Sequence, residues 1–211
     1  MLTRGDPTRT AVLALHYQNE VLHPDGAIRM GVADGDTQRA SVLAAAGRLL
    51  AGARDLDIPL IHVRIAFAPG HEDVIANGPI FRNVIARKAM EEGSWGVRFY
   101  PGLEPHDSET VLTHNRVSAF HRTKLQTRLD ELGVGHLVLA GVATHSVVET
   151  TFRHAADVGW LVTVAKDACS SGDQELHRAS LTNMALLGEV DTVDALAARR
   201  FSPAHDEDGG S

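Results

Sequence analysis

Short, unbroken apolar runs alternate along the chain with stretches whose apolar residues recur at helical spacing. Ala11-Val12-Leu13-Ala14-Leu15-His16-Tyr17 is the first such run and reads as a central parallel strand with His16 at its carboxyl end. Further strands are predicted over Pro59–Phe67, Thr110–Thr113, His136–Ala140, Trp160–Val164 and Glu189–Thr192. Between them, Ala40, Val42, Leu43, Ala46, Leu49, Leu50 and Ala53 mark a helix capped by Asp36 or Thr37. Leu125, Leu129 and Leu132 mark another, opened by Thr123 and stopped by Gly133. Val147, Val148, Thr151 and Ala155 form a third, and Leu176, Leu181, Met184 and Leu187 a fourth, opened by Asp173. A terminal helix covers Val193–Ala198. This alternation predicts an α/β fold: a three-layer αβα sandwich on a mainly parallel sheet with right-handed crossovers.

The irregular part is Ala68–Glu109, punctuated by Pro69-Gly70, Asn77-Gly78-Pro79 and Pro101-Gly102, with a short helix expected around Ile80–Met90. An insert of this length suits a lid, a partner contact or a surface excursion. Residues 1–10 and 203–211 read as loose tails on a single domain spanning 1–211. The net charge of −7 is spread out and includes the acidic tail after His205, which argues against a nucleic-acid partner. No run is long enough to span a membrane, and no signal peptide is expected. Cys169 is the single cysteine, expected as a buried structural thiol, and a cytoplasmic location fits.

The stretch Gly141-Val142-Ala143-Thr144-His145-Ser146-Val147-Val148 leaves the fourth strand and enters a helix. In open α/β sheets, ligands bind at such turns beyond the carboxyl ends of strands. The backbone N–H groups of a helix start also suit an anion or a developing oxyanion. Ser146 is expected as a helix cap there.

Three segments then line up: the first strand followed by Gln18, the run Arg116-Val117-Ser118-Ala119-Phe120, and the Gly141–Ser146 turn with its Val-Glu-Thr-Thr continuation. Together they resemble the isochorismatase-like (Rossmann-like) cysteine hydrolase superfamily, over about Ala11 to Thr192. The resemblance implies an Asp at the end of strand 1, a Lys before the Arg-x-Ser-Ala-Phe run and a Cys at the helix start. The matching positions are His16, His114 and Val147, and Val147 has no nucleophilic atom. Isochorismatases proper cleave a vinyl ether without a cysteine, by protonating the substrate and adding water. By that precedent His16 and His114 are the candidates for proton transfer, His16 as a ring that switches charge near pH 7. The resemblance also implies a cis peptide at Val142-Ala143 and a dimer or higher homo-oligomer.

Candidate small-molecule contacts are Tyr17, Gln18, Arg64, Arg116, Ser118, Phe120, Ala143 and Val147, with Trp95 as a further wall. Arg64 and Arg116 suit a substrate carboxylate or structural ion pairs. Ser118 suits a pocket or turn hydrogen bond. No cofactor and no metal is expected. The ligand set of related nicotinamidases falls on Arg64-Ile65-Ala66, and no spacing motif supports a site from His16, His114 and His145. Two functions remain open: cysteine-independent acid–base hydrolysis of a small metabolite, of a vinyl ether or related bond, and a catalytically inactive binding or regulatory protein of the same fold.

Overall fold

A computed structural model describes residues 4–28, 30–31 and 38–204. Its centre is a six-stranded sheet in the order β3-β2-β1-β4-β5-β6. The strands are β1 (Asp6–Leu15), β2 (Leu60–Ile65), β3 (Thr110–His114), β4 (Val134–Gly141), β5 (Leu161–Ala165) and β6 (Glu189–Asp191). Every neighbouring pair is parallel.

The two central strands show why the apolar runs are continuous. Residues 10–15 of β1 and all of β4 are buried, because helices cover both faces of the sheet. Each fully buried Leu there, such as Leu13, Leu15 and Leu139, stabilises the fold by about 1.5–3 kcal/mol through apolar burial. In β4 the buried His136 imidazole is held by Thr10 Oγ1 at 3.0 Å and Thr163 Oγ1 at 2.8 Å.

The helices are α1 (Asn19–Leu22), α2 (Gln38–Asp55), α3 (Pro79–Arg87), α4 (Leu125–Leu132), α5 (Glu149–Val158), α6 (Gln174–Met184) and α7 (Val193–Ala198). Their ends follow the sequence chemistry. Asp173 Oδ1 accepts from the Glu175 and Leu176 N–H groups at 2.8 and 3.1 Å, and Gly133 ends α4 with φ 63°. The expected cap at Asp36 or Thr37 lies outside the described residues, as do 205–211 of the expected C-terminal tail.

Four expectations are corrected. Residues 6–10 are not a loose lead-in: β1 begins at Asp6, which pairs with Val134 across one side of the sheet only, so this half stays exposed and polar. The insert helix runs Pro79–Arg87 and stops where Lys88 turns left-handed at φ 50°. Ser146 is not a cap. Residues Thr144–Val148 form a wide π-type turn before α5, in which the Ala143 carbonyl accepts from Ser146 N–H at 3.1 Å and Val148 N–H at 3.5 Å. Strand 1 ends at Leu15, one residue before His16. Among the described residues no helix is long and apolar enough to cross a membrane.

The chain starts in the middle of the sheet, builds outward through β2 and β3, then returns to β4 on the other side of β1. This reversal leaves a crevice between the carboxyl ends of β1 and β4, where open α/β sheets bind ligands.

Candidate active site

His16 follows β1 directly and sits in the left-handed region at φ 56°, with its N–H on Val63 O at 2.8 Å. A non-glycine residue there is uncommon, and the surrounding hydrogen bonds hold it in place. His114 is the last residue of β3, in register with Ile65 of β2. β2 separates the two strands, so their ends lie about 10 Å apart, two inter-strand spacings. The imidazoles bridge that gap above the end of β2 and meet with His16 Nε2 2.5 Å from His114 Nε2. Their ring centroids are 4.8 Å apart and the planes tilt by 47°.

The hydrogen bonds assign the tautomers. His114 Nδ1 lies 3.0 Å from the Ser118 carbonyl oxygen, which can only accept, so Nδ1 carries the proton. A neutral His114 then has a lone pair on Nε2, and His16 must donate its own Nε2–H to it. His16 Nδ1 is left as an acceptor, and no group among the described residues occupies it.

Burial sets the charge state. His16 and His114 are 7% and 4% exposed. Removal from water pushes His16 well below its usual value, reinforced by repulsion from His114. Burial likewise lowers His114 to about 4, although the Ser118 carbonyl works in the opposite direction. This corrects the expectation of a ring that changes charge near pH 7: both rings are neutral there, and the position matched to the family's lysine carries no positive charge.

His16 lines a narrow cavity of about 50 Å³, whose walls are mostly aliphatic and aromatic. Val21 comes from α1, and Ile28 and Met30 from the segment after it. Phe67 follows the end of β2, and Phe81, Val84 and Met90 come from the insert. The polar contributions are His16, Arg116, Ser146 and the backbone of Ala143. Ala143 follows a cis Val142-Ala143 peptide, and its N–H finds no acceptor among the described residues. That N–H is a donor available to an oxygen placed in the cavity. The Arg116 guanidinium lies over the Phe81 ring, 3.8 Å from its centroid, and donates to Ile75 O and Asn77 Oδ1 at 3.0 and 2.9 Å. Both partners are neutral, so among the described residues its charge has no carboxylate counterpart.

His16, Arg116 and Ala143 therefore meet at one cavity, with His114 behind His16. The other candidates are placed elsewhere. Tyr17 is core, its hydroxyl donating to Ala168 O at 2.6 Å. The Gln18 amide is spent on backbone, accepting from Ile65 N–H at 2.8 Å and donating to Ile65 O and Val97 O, both at 2.9 Å. Arg64 faces Glu92 and Thr113, because alternate residues of β2 point to opposite faces and Ile65 takes the cavity side. Ser118 contributes its carbonyl rather than its hydroxyl, which accepts from Phe120 N–H. Phe120 stacks on His154 and Trp160, Val147 is buried core, and Trp95 is 43% exposed beside His23.

The cavity walls from the insert and from Val21, Ile28 and Met30 were not singled out from sequence. Ile80, Phe81 and Val84 did carry a signal, a one-sided apolar spacing on a short helix. Cys169 is buried with its thiol pushed up to about 12 by desolvation, which rules out a resting thiolate. Among the described residues no three His, Cys, Asp or Glu side chains are grouped to hold a metal ion. His145 turns instead to Ser171 Oγ, 2.8 Å away.

Comparison with known proteins gives a consistent result. A family model described as "Isochorismatase domain" matches residues 10–195. The ureidoacrylate amidohydrolase RutB of Methylobacterium radiotolerans is 29% identical over 94% of this chain and 82% of that protein. The crystal structure of a cysteine hydrolase from Pseudomonas syringae pv. phaseolicola superposes with a TM-score of 0.83 at 24% identity, covering 95% of this chain and 97% of the other. An isochorismatase family protein from Desulfovibrio vulgaris gives 0.80 at 24% identity, covering 91% and 98%.

Proposed function

The chain belongs to the isochorismatase family of hydrolases, and from that footing we propose that it hydrolyses a small carboxylate-bearing metabolite without a cysteine nucleophile, using His16 as a general base. The observation that carries this reading is the His16–His114 hydrogen bond at the wall of the cavity, with His16 Nδ1 left as a free acceptor. A neutral imidazole suits base-first chemistry on an amide or ester better than the acid-first cleavage of a vinyl ether. The relative from Methylobacterium is by name an amidohydrolase, which agrees with that preference.

In this reading water attacks the substrate carbonyl carbon and its proton passes to His16 Nδ1. The carbonyl oxygen takes the negative charge and is met by the Ala143 N–H. The tetrahedral intermediate collapses with loss of the nitrogen or oxygen leaving group, which receives the proton back. Arg116 at the wall receives the substrate carboxylate, and the aliphatic lining excludes competing water. A cavity of about 50 Å³ holds only a few atoms, so the substrate is small and its entry moves side chains of the insert.

The same small volume favours one rival, a protein that binds a carboxylate and performs no chemistry. A panel of small carboxylates bearing an amide, ester, lactone or vinyl ether, assayed with wild type, His16→Ala and His114→Ala, separates the two. Turnover by wild type that falls about 10²–10⁴-fold in His16→Ala supports the base role. Saturable binding with no turnover across the panel supports the rival.

A further inference from the structure

Two separate hollows meet at the imidazole pair. His16 lines the apolar cavity, and His114 does not. His114 instead lines an open depression of about 260 Å³ shared with Ala66, Asp73, Asn115, His121 and Arg122. The hydrogen bond between the rings is thus a bridge from a water-poor space to a wet one. We propose that His16 and His114 are a two-imidazole proton relay that joins the cavity to this depression. The proposal rests on the proton-transfer reading of His16 given above.

The step balances as follows. His16 Nδ1 takes a proton from the attacking water in the cavity. The His16 Nε2 proton moves across the hydrogen bond to His114 Nε2, the His114 Nδ1–H···Ser118 carbonyl bond opens, and the released Nδ1 proton passes to water in the depression that His114 lines. One proton enters, one leaves, and both rings end neutral in the opposite tautomer. Without the transfer, His16 would be left as an imidazolium against aliphatic walls, which desolvation opposes strongly. The Ser118 carbonyl then supplies the reset. In the opposite tautomer it faces a lone pair on His114 Nδ1, so the starting arrangement is the more stable one. Running backward, the same path returns a proton to the leaving group.

The groups around the outer end fit the role. Asp73 is fixed, accepting from Ala68 N–H at 2.8 Å and from the Asn115 amide at 2.9 Å. His121 is exposed and lines the same depression. Arg122 lines the depression and Arg116 lines the cavity. A guanidinium has no acceptor atom, so neither can carry the transfer.

The test uses the full chain labelled with nitrogen-15 at histidine. In wild type, long-range proton–nitrogen spectra at neutral pH read the tautomers directly. The relay requires Nε2–H on His16 and Nδ1–H on His114, and the reverse assignment for either ring overturns it. Solvent exchange of the His16 Nε2 proton is then measured in wild type, His114→Gln and His114→Ala. The relay predicts exchange slowed by about 100-fold in both variants, the lower end of what a positioned acid–base group contributes. It also predicts that added imidazole, entering through the open depression, restores exchange in His114→Ala. Exchange unchanged in the variants, or not restored by imidazole, overturns the relay. If neither variant folds, the wild-type tautomers still decide. Exchange that fails these tests while His16→Ala still abolishes turnover sinks the relay alone. Turnover unaffected by His16→Ala sinks the base reading itself.

Discussion

The Arg116 guanidinium carbon lies 3.8 Å from the centre of the Phe81 ring, at the wall of the cavity. Stacking and two neutral acceptors hold the guanidinium in place without cancelling its charge. This arrangement predicts that Arg116→Gln weakens binding of carboxylate ligands by about 1.5–3 kcal/mol, the worth of a hydrogen bond to a charged group. Neutral amide analogues of the same ligands should bind Arg116→Gln as they bind wild type. Calorimetric titration of both ligand sets with both proteins checks this, and an equal loss for charged and neutral ligands would show that Arg116 acts only through packing.

Glu20 is expected to hold the cavity wall. Its carboxylate accepts from Ala27 N–H at 2.6 Å and Met90 N–H at 3.4 Å, next to the lining residues Ile28 and Met90. Gly96 leaves room for it: a β-carbon at residue 96 would stand 1.8 Å from Glu20 Oε2. Gly96→Ala must displace the carboxylate, leaving buried N–H groups without their acceptor at a cost of about 1–3 kcal/mol. Urea unfolding should show that loss, and the double variant Gly96→Ala with Glu20→Ala should lose less than the sum of the two single changes.

Acidification should destabilise the fold before its carboxylates titrate. His62, His114 and His136 are buried and pushed down, the latter two to about 4, chiefly by desolvation. The unfolded chain takes up protons on these rings below about 6.5 while the folded chain does not. Their contribution is therefore intact above about 6.5 and is lost progressively as pH falls toward 4. A ring lowered from 6.5 to about 4 accounts for about 3 kcal/mol over that window. Unfolding free energies measured across this range should fall steeply for wild type and less steeply for His136→Gln. Parallel curves would contradict the assignment.

Cys169 should be chemically silent. Its thiol is buried and held neutral. Iodoacetamide at mildly alkaline pH is expected to leave the native protein unmodified and to label it fully in denaturant, as read by intact mass. Cys169→Ala should retain turnover on any substrate the wild type accepts.

The alternation of elements was legible in the sequence because a parallel sheet covered on both faces writes each strand as an unbroken apolar run, as in 11–15 and 136–140. The pair His16 and His114 was legible through the resemblance alone, which sets the family's Asp and Lys at those two positions. Its charge state was not, since desolvation depends on what the insert and the segment after α1 lay over it. Gln18 was read as a ligand contact, but its amide completes the hydrogen bonding of Ile65 at the end of β2 and reaches Val97, a partnership no local pattern reveals. Arg64 and Arg116 looked equivalent in sequence. Only strand alternation and the position of Glu92 turn one outward and leave the other at the cavity.

The most direct measurement is kcat/KM against pH for the fastest member of the carboxylate panel, with wild type and His16→Ala side by side. A neutral imidazole base predicts a plateau between about pH 6 and 8 and a fall only at more acidic pH, with His16→Ala lower by about 10²–10⁴-fold on the plateau. Wild-type activity that declines as pH rises through about 6.5, or a His16→Ala protein as active as wild type, would contradict the account.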